Sequence, residues 1–137
     1  SLPVGSGRLR HAMSPDPDIP LAKVRALALA LPETVERASH GSPGFLLEKG
    51  KFFAYFWHNH HGDGETVVIV KTNGRDEQAI LIELDPECYY SPPYLGPSGW
   101  IAMRLDREEV DWDRVGDRIA ISWELVAPRR LLEAGGR

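Results

Sequence analysis

The sequence is short of several things, and each shortage narrows what the protein can do. One cysteine, Cys88, stands among 137 residues, which excludes an internal disulfide framework and fits a reducing compartment. No apolar run approaches the roughly 18 residues of a membrane span, so a cytoplasmic protein without a membrane partner is expected. Positive charge is also scarce, with 16 basic residues against 20 acidic ones and a net charge of −4. A field of that sign opposes strong non-specific attraction to phosphate backbones, which needs a basic footprint.

Catalytic and cofactor motifs are equally thin. "HGSPG" (40–44) lacks the Gly-x-Ser-x-Gly spacing of a nucleophile elbow and any following helical pattern. "GPSG" (96–99) lacks the Gly-Lys-Ser/Thr ending of a phosphate loop and reads as a turn. Cys88 is flanked by Glu87 and two tyrosines, with no sequence-local histidine or cation to activate it. The one metal-like cluster is His58, His60 and Asp63, with His61 and Glu65 nearby, in "WHNHHGDGET". On a strand His58 and His60 would share a face, yet no flanking Cys-x-x-Cys or His-Glu-x-x-His pattern accompanies them. A non-enzymatic protein with no cofactor is the expectation.

What is present reads as one domain over residues 13–137. Residues 1–12 carry Arg8 and Arg10 and no acid, and with Met13 following they read as a leader or flexible arm. Leu21, Val24, Leu27, Ala28 and Leu31 form one stripe at helical spacing, with Asp18 as N-cap and Pro32 as stop. Thr34–Ser39 is a turn or short strand. "PGFLLEKGKFFAYFWHN" reads as a hairpin whose turn takes its positive φ at Gly50. "TVVIVK" (66–71) is β-branched and continuously apolar, as an interior strand should be. "RDEQAILIEL" reads as a helix with Ala79, Ile82 and Leu81 inward, a strand over its second half being the alternative. "GWIAMRL" reads as a strand with Trp100, Ala102 and Arg104 on one face and Ile101, Met103 and Leu105 on the other. The last helix is capped by Asp111, carries Val115, Ile119, Trp123 and Val126 inward, and closes at Pro128.

Two stretches point beyond a plain core. In "KFFAYFW" both alternate sets, Phe52/Ala54/Phe56 and Phe53/Tyr55/Trp57, are apolar. A sheet covered by helices on one face needs only one such set, so the 85–99 segment, a twin subunit or a ligand must shelter the other. "ECYYSPPYLGPSGWIAMRL" (87–105) crowds tyrosines, prolines and a tryptophan into one loop and strand. That loop is expected to fold over the sheet as a lid. The cleft beneath it, lined by Phe53, Tyr55, Trp57, Tyr90, Tyr94 and Trp100, is a candidate pocket for a small molecule or protein partner.

The chain also resembles a known family. "SPPYLGPSGW", "VDWDRV" and "LVAPRRL", with "LALPETVERASHGSPGFLLEKGKFFAYF" upstream, are similar to signature stretches of the MmcQ/YjbR family, over about Leu21 to Leu132. The resemblance implies an α+β fold of the frataxin-like (CyaY-like) kind, an antiparallel β-sheet with helices packed on one face. Members are described as DNA-binding through likeness to a double-wing domain, and fold alone does not fix function. The longer, His-rich 57–66 connection departs from the family pattern. On this footing Lys51, Lys71, Arg104, Arg129 and Arg130, with Lys49 and Arg75 near strand ends, would meet phosphates, and Tyr94 or Trp100 would stack on bases. Alternatively these side chains only anchor the loop and solvate the surface. The expected state is a monomer or weak dimer.

Overall fold

The computed structural model describes residues 16–59, 62 and 64–134. The expected leader, 1–12, lies outside them. Helix α1 (Asp18–Leu29) leads into β1 (Thr34–Ser39), β2 (Ser42–Leu47), β3 (Phe52–His58) and β4 (Thr66–Val70). Then follow α2 (Arg75–Leu84), β5 (Tyr89–Tyr90), β6 (Ile101–Arg104), α3 (Trp112–Val126) and α4 (Arg129–Glu133). The strands pair antiparallel throughout in the order β1-β2-β3-β4-β6-β5. The fold is α+β, as expected.

All four described helices contribute to one face of this sheet. Val24 and Ala28 of α1 and Val115, Ile119 and Trp123 of α3 meet Phe45, Phe56, Val68, Val70, Ile101 and Met103, with Leu81 and Ile82 of α2 and Leu131 of α4 at the margins. Burying each large apolar side chain there contributes roughly 1.5–3 kcal/mol. The chain forms α3 at this place because Asp111 accepts the Arg114 N–H (3.1 Å) and Asp113 sits in the first turn. Its position is fixed by polar pins. Ser122 Oγ accepts the Lys71 N–H (2.9 Å) and donates to the Phe53 carbonyl (2.5 Å), and Trp123 Nε1–H donates to the Pro32 carbonyl (3.0 Å). β4 is buried at every position because it is covered on both faces. β6 alternates as its sequence implies, with Ile101 and Met103 toward the helices and Trp100 and Ala102 away.

Three local expectations fail for identifiable reasons. Helix α1 includes Asp18, whose N–H is taken by the Asp16 carboxylate (2.9 Å), so Asp18 is not the capping residue. In the β2–β3 turn Lys49, not Gly50, adopts positive φ (65°). The Gly50 N–H closes back onto the Leu47 carbonyl (2.7 Å), which puts the left-handed position on the third residue of the turn. In α2, Gln78 is buried while Ala79 is exposed. The Gln78 amide donates to the Gly96 and Trp100 carbonyls (2.9 and 2.7 Å), and buried loop carbonyls need such a donor more than they need a methyl.

Candidate functional site

The face of the sheet away from the helices is built around one irregularity. Between β2 and β3 the register passes from Phe45↔Ala54 to Leu46↔Phe52, so Phe53 is an extra residue, a β-bulge. The bulge turns Phe53 into the helix-side core, where it is fully buried beside Ala54 and Phe56. Phe52 takes the opposite face with Tyr55. Phe53 therefore does not line a pocket under the loop, and Phe52 stands where alternation put Phe53. The Phe52 ring lies over Gly44, where an added Cβ would meet its Cε2 at 2.6 Å. From there it stacks on Tyr55, with centroids 5.2 Å apart and planes 14° from parallel. Tyr55 in turn meets Trp100 at 5.5 Å, tilted by 40°. Burial pushes the Tyr55 hydroxyl pKa up.

The aromatic-proline loop does fold onto this face. Tyr90, Leu95 and Trp100 cover Trp57, Val67, Ile69 and Ala102. It is tethered by Gln78 and by Thr72 Oγ1–H, which donates to the Gly99 carbonyl (2.6 Å). At Gly99 (φ 92°) the backbone passes so close that an added Cβ would lie 3.0 Å from Gly74, which requires glycine. Leu95 and Trp100 fill the space under the loop. Trp100 is 8% exposed and Tyr94 is 74% exposed. Trp100 is thus a support for Tyr55, and Tyr94 points outward from the lid and not into a cleft.

The predicted cations divide. Lys51, Lys71 and Arg130 come together with Lys49 around a cleft of about 790 Å³ at the hairpin end of the sheet. Its apolar floor is Leu47, Leu125, Val126 and Pro128, and its acids are Glu33 and Glu48. Lys71 also reaches over the Trp100 ring (5.4 Å), which ties the cleft to the aromatic row. None of the three lysines is in an ion pair among the described residues. Arg130 is gripped by Glu33 through two 2.8 Å hydrogen bonds, which hold the Glu33 carboxyl below the usual carboxylate range. Arg104 is elsewhere, over Tyr90 (4.5 Å) and bonded to Glu65 and the Pro86 and Glu87 carbonyls. Arg129 faces solvent near Glu133 (3.9 Å), and Arg75 bonds Gln78. Sequence reasoning missed Phe52 and Glu33. The one signal for Phe52 was a glycine, Gly44, on the neighbouring strand.

The remaining candidates contribute no chemistry to this end. His58 Nδ1 is 2.8 Å from Thr66 Oγ1, while His60, His61 and Asp63 lie outside the described residues. Among the described residues no three His, Cys, Asp or Glu side chains are grouped to hold a metal. Cys88 borders a separate cleft of about 240 Å³ with Asp85, Arg104 and Arg114. Burial pushes its thiol pKa up despite the Arg114 hydrogen bond, the opposite of nucleophile activation. No described helix is long and apolar enough to cross a membrane.

The comparisons with known proteins bear on the fold. The YjbR family model matches residues 29–125, which covers the sheet, the lid and most of α3. No curated protein matches the sequence. Among solved structures, the fold is similar to the crystal structure of Deinococcus radiodurans protein DR2400, which carries a DUF419 domain. The TM-score is 0.62 and the identity 18%, over 77% of this chain and 76% of that one. At that identity the likeness concerns the fold alone.

Proposed function

The chain belongs to the YjbR family, and from that premise we propose that it is a binding module, not an enzyme, that holds single-stranded nucleic acid at the hairpin end of its open sheet face. The observation that carries this reading is the Phe52–Tyr55 stack, only partly buried, which is joined through Trp100 to Lys71 and so to the cleft that also gathers Lys49 and Lys51. Aromatic faces at a sheet surface accept any base with little sequence demand, each worth about 1–3 kcal/mol. Lysines unpaired with acids are free to meet phosphates. Phe52 and Tyr55 supply the platform, Trp100 supports it from behind, and Lys51 and Lys71 hold the strand alongside. Arg104 and Arg129 take no part. Single strands are favoured over duplex because the basic footprint is one cleft on a chain of net charge −4, and a duplex demands a wider one. A ligand under the 89–100 loop has less support, since the lid's own Leu95 and Trp100 pack into that space.

Fluorescence anisotropy with a short labelled DNA strand, its RNA counterpart and the DNA duplex, across a salt series, tests the proposal. Single strands should bind at low salt, with log affinity falling by roughly 2 per decade of salt for three phosphate contacts. Tyr55→Ala and the Lys51→Ala/Lys71→Ala pair should each weaken binding. Absence of association with every single strand at low salt refutes the reading.

A further inference from the structure

We infer that Glu33 is a built-in anion guarding Arg130, so that Arg130 becomes a specificity-determining contact made only by a ligand able to displace a carboxylate. The inference rests on the reading of the cleft as a phosphate-binding site. Three observations carry it. Both Glu33 oxygens are engaged by separate Arg130 nitrogens at 2.8 Å, the fork geometry by which a guanidinium takes a carboxylate or a phosphate alike. Glu33 also holds a left-handed backbone conformation, φ 57°, which is uncommon for a residue with a side chain. Its carbonyl is anchored by the Glu48 N–H at 2.9 Å, so the carboxylate is presented into the cleft from a fixed base. The other cleft cations, Lys49, Lys51 and Lys71, carry no such partner among the described residues.

The guard is weak enough to yield. The Glu33 and Arg130 side chains are 39% and 64% exposed, and solvent screening leaves an exposed pair of this kind only weakly held. A phosphate that enters the cleft trades one bidentate partner for another, and Glu33 swings to solvent. Arg130 therefore adds little to the affinity of the native protein and more once its guard is gone.

Anisotropy titrations with the same labelled DNA strand test this in four variants. Glu33→Gln, which keeps size and removes charge, should raise affinity about two- to fivefold. The salt dependence should change by less than about 0.7, the value of one phosphate contact on a single strand, because the native complex already sets a phosphate on Arg130. Glu33→Gly, which accepts the left-handed backbone and removes the side chain, should do the same and guards against a misfolded Gln variant. Arg130→Ala alone should change affinity less than about twofold, and Glu33→Gln/Arg130→Ala should lose the gain. Unchanged affinity in both Glu33 variants, with binding by the native protein intact, overturns the guard alone. So does an Arg130→Ala loss as large as that of Lys51→Ala. No binding by the native protein or either Glu33 variant overturns the guard together with the proposed function.

Discussion

Gly44→Ala perturbs the aromatic platform without touching a single charge. The new methyl would lie 2.6 Å from Phe52 Cε2 and 2.9 Å from Cδ2, with the Arg37 carbonyl at 3.2 Å on another side. Carbon atoms pack at about 3.5 Å or more, so the ring must retreat by roughly 1 Å. Its partial exposure gives it room to swing. The lost Phe52–Tyr55 stack costs about 0.5–1.5 kcal/mol. The reduced freedom of the unfolded chain returns about 0.4–1 kcal/mol. Stability should therefore fall by less than about 1 kcal/mol, a difference of these two ranges. Binding should suffer more, since displacing one stacking ring removes about 1–3 kcal/mol, or roughly 5- to 150-fold in affinity. The salt slope should stay unchanged, because no cation moves. Urea unfolding and anisotropy across a salt series measure the two effects separately. Native affinity in a folded Gly44→Ala protein would refute the platform, and a shallower slope would show that the perturbation acts through the lysines instead.

Other perturbations test how the site is held. Ser122→Ala strips partners from the part-buried Lys71 N–H and the buried Phe53 carbonyl, and should destabilise the protein by about 1–3 kcal/mol in urea unfolding. Arg118 is buried with Nε and Nη2 unpartnered, and its Nη1 meets Glu77 at 3.3 Å. Glu77→Ala should therefore cost about 3 kcal/mol or more while Arg118→Met is nearly neutral by the same unfolding assay, because removing one partner strands a buried charge and removing the cation does not. The Asp85 carboxyl is held below its ordinary range by the Arg114 hydrogen bond (2.8 Å). Its contribution is thus complete above the unfolded carboxylate range and lost as pH falls through the lower folded value. Arg114→Ala should consequently flatten the loss of stability below about pH 4, followed by thermal midpoints across an acid series.

How far the sequence foretold this molecule depends on the range of the interaction. Elements set by local pattern were legible: the β-branched run that became β4, the capped amphipathic α3, and the clean alternation of β6, whose Trp100 and Met103 point to opposite faces. The lid was legible too, because tyrosines and prolines in one loop have few uses other than packing onto a surface. What escaped were features with no local signature. Glu33 and Arg130 are 97 residues apart, and neither segment alone hints at the pairing. Propensity places the left-handed turn residue at Gly50, while hydrogen bonding within the turn sets it at Lys49.

The bulge at Phe53 is the deepest of these omissions, and the site depends on it. Alternation locates a face only when the two sets differ in polarity, and in "KFFAYFW" both sets are apolar, so a one-residue slip leaves no trace in the pattern. The choice was made by the neighbouring strand. Gly44, paired with Tyr55, is the position on β2 where a ring can lie flat against backbone, and Phe52 lies over it in contact distance of where a Cβ would stand. The same slip puts Phe53 against α3, where its carbonyl receives the Ser122 hydroxyl that also fixes Lys71. One inserted residue thus sets the platform ring on one face and, through Ser122, holds the backbone of Lys71 from the other.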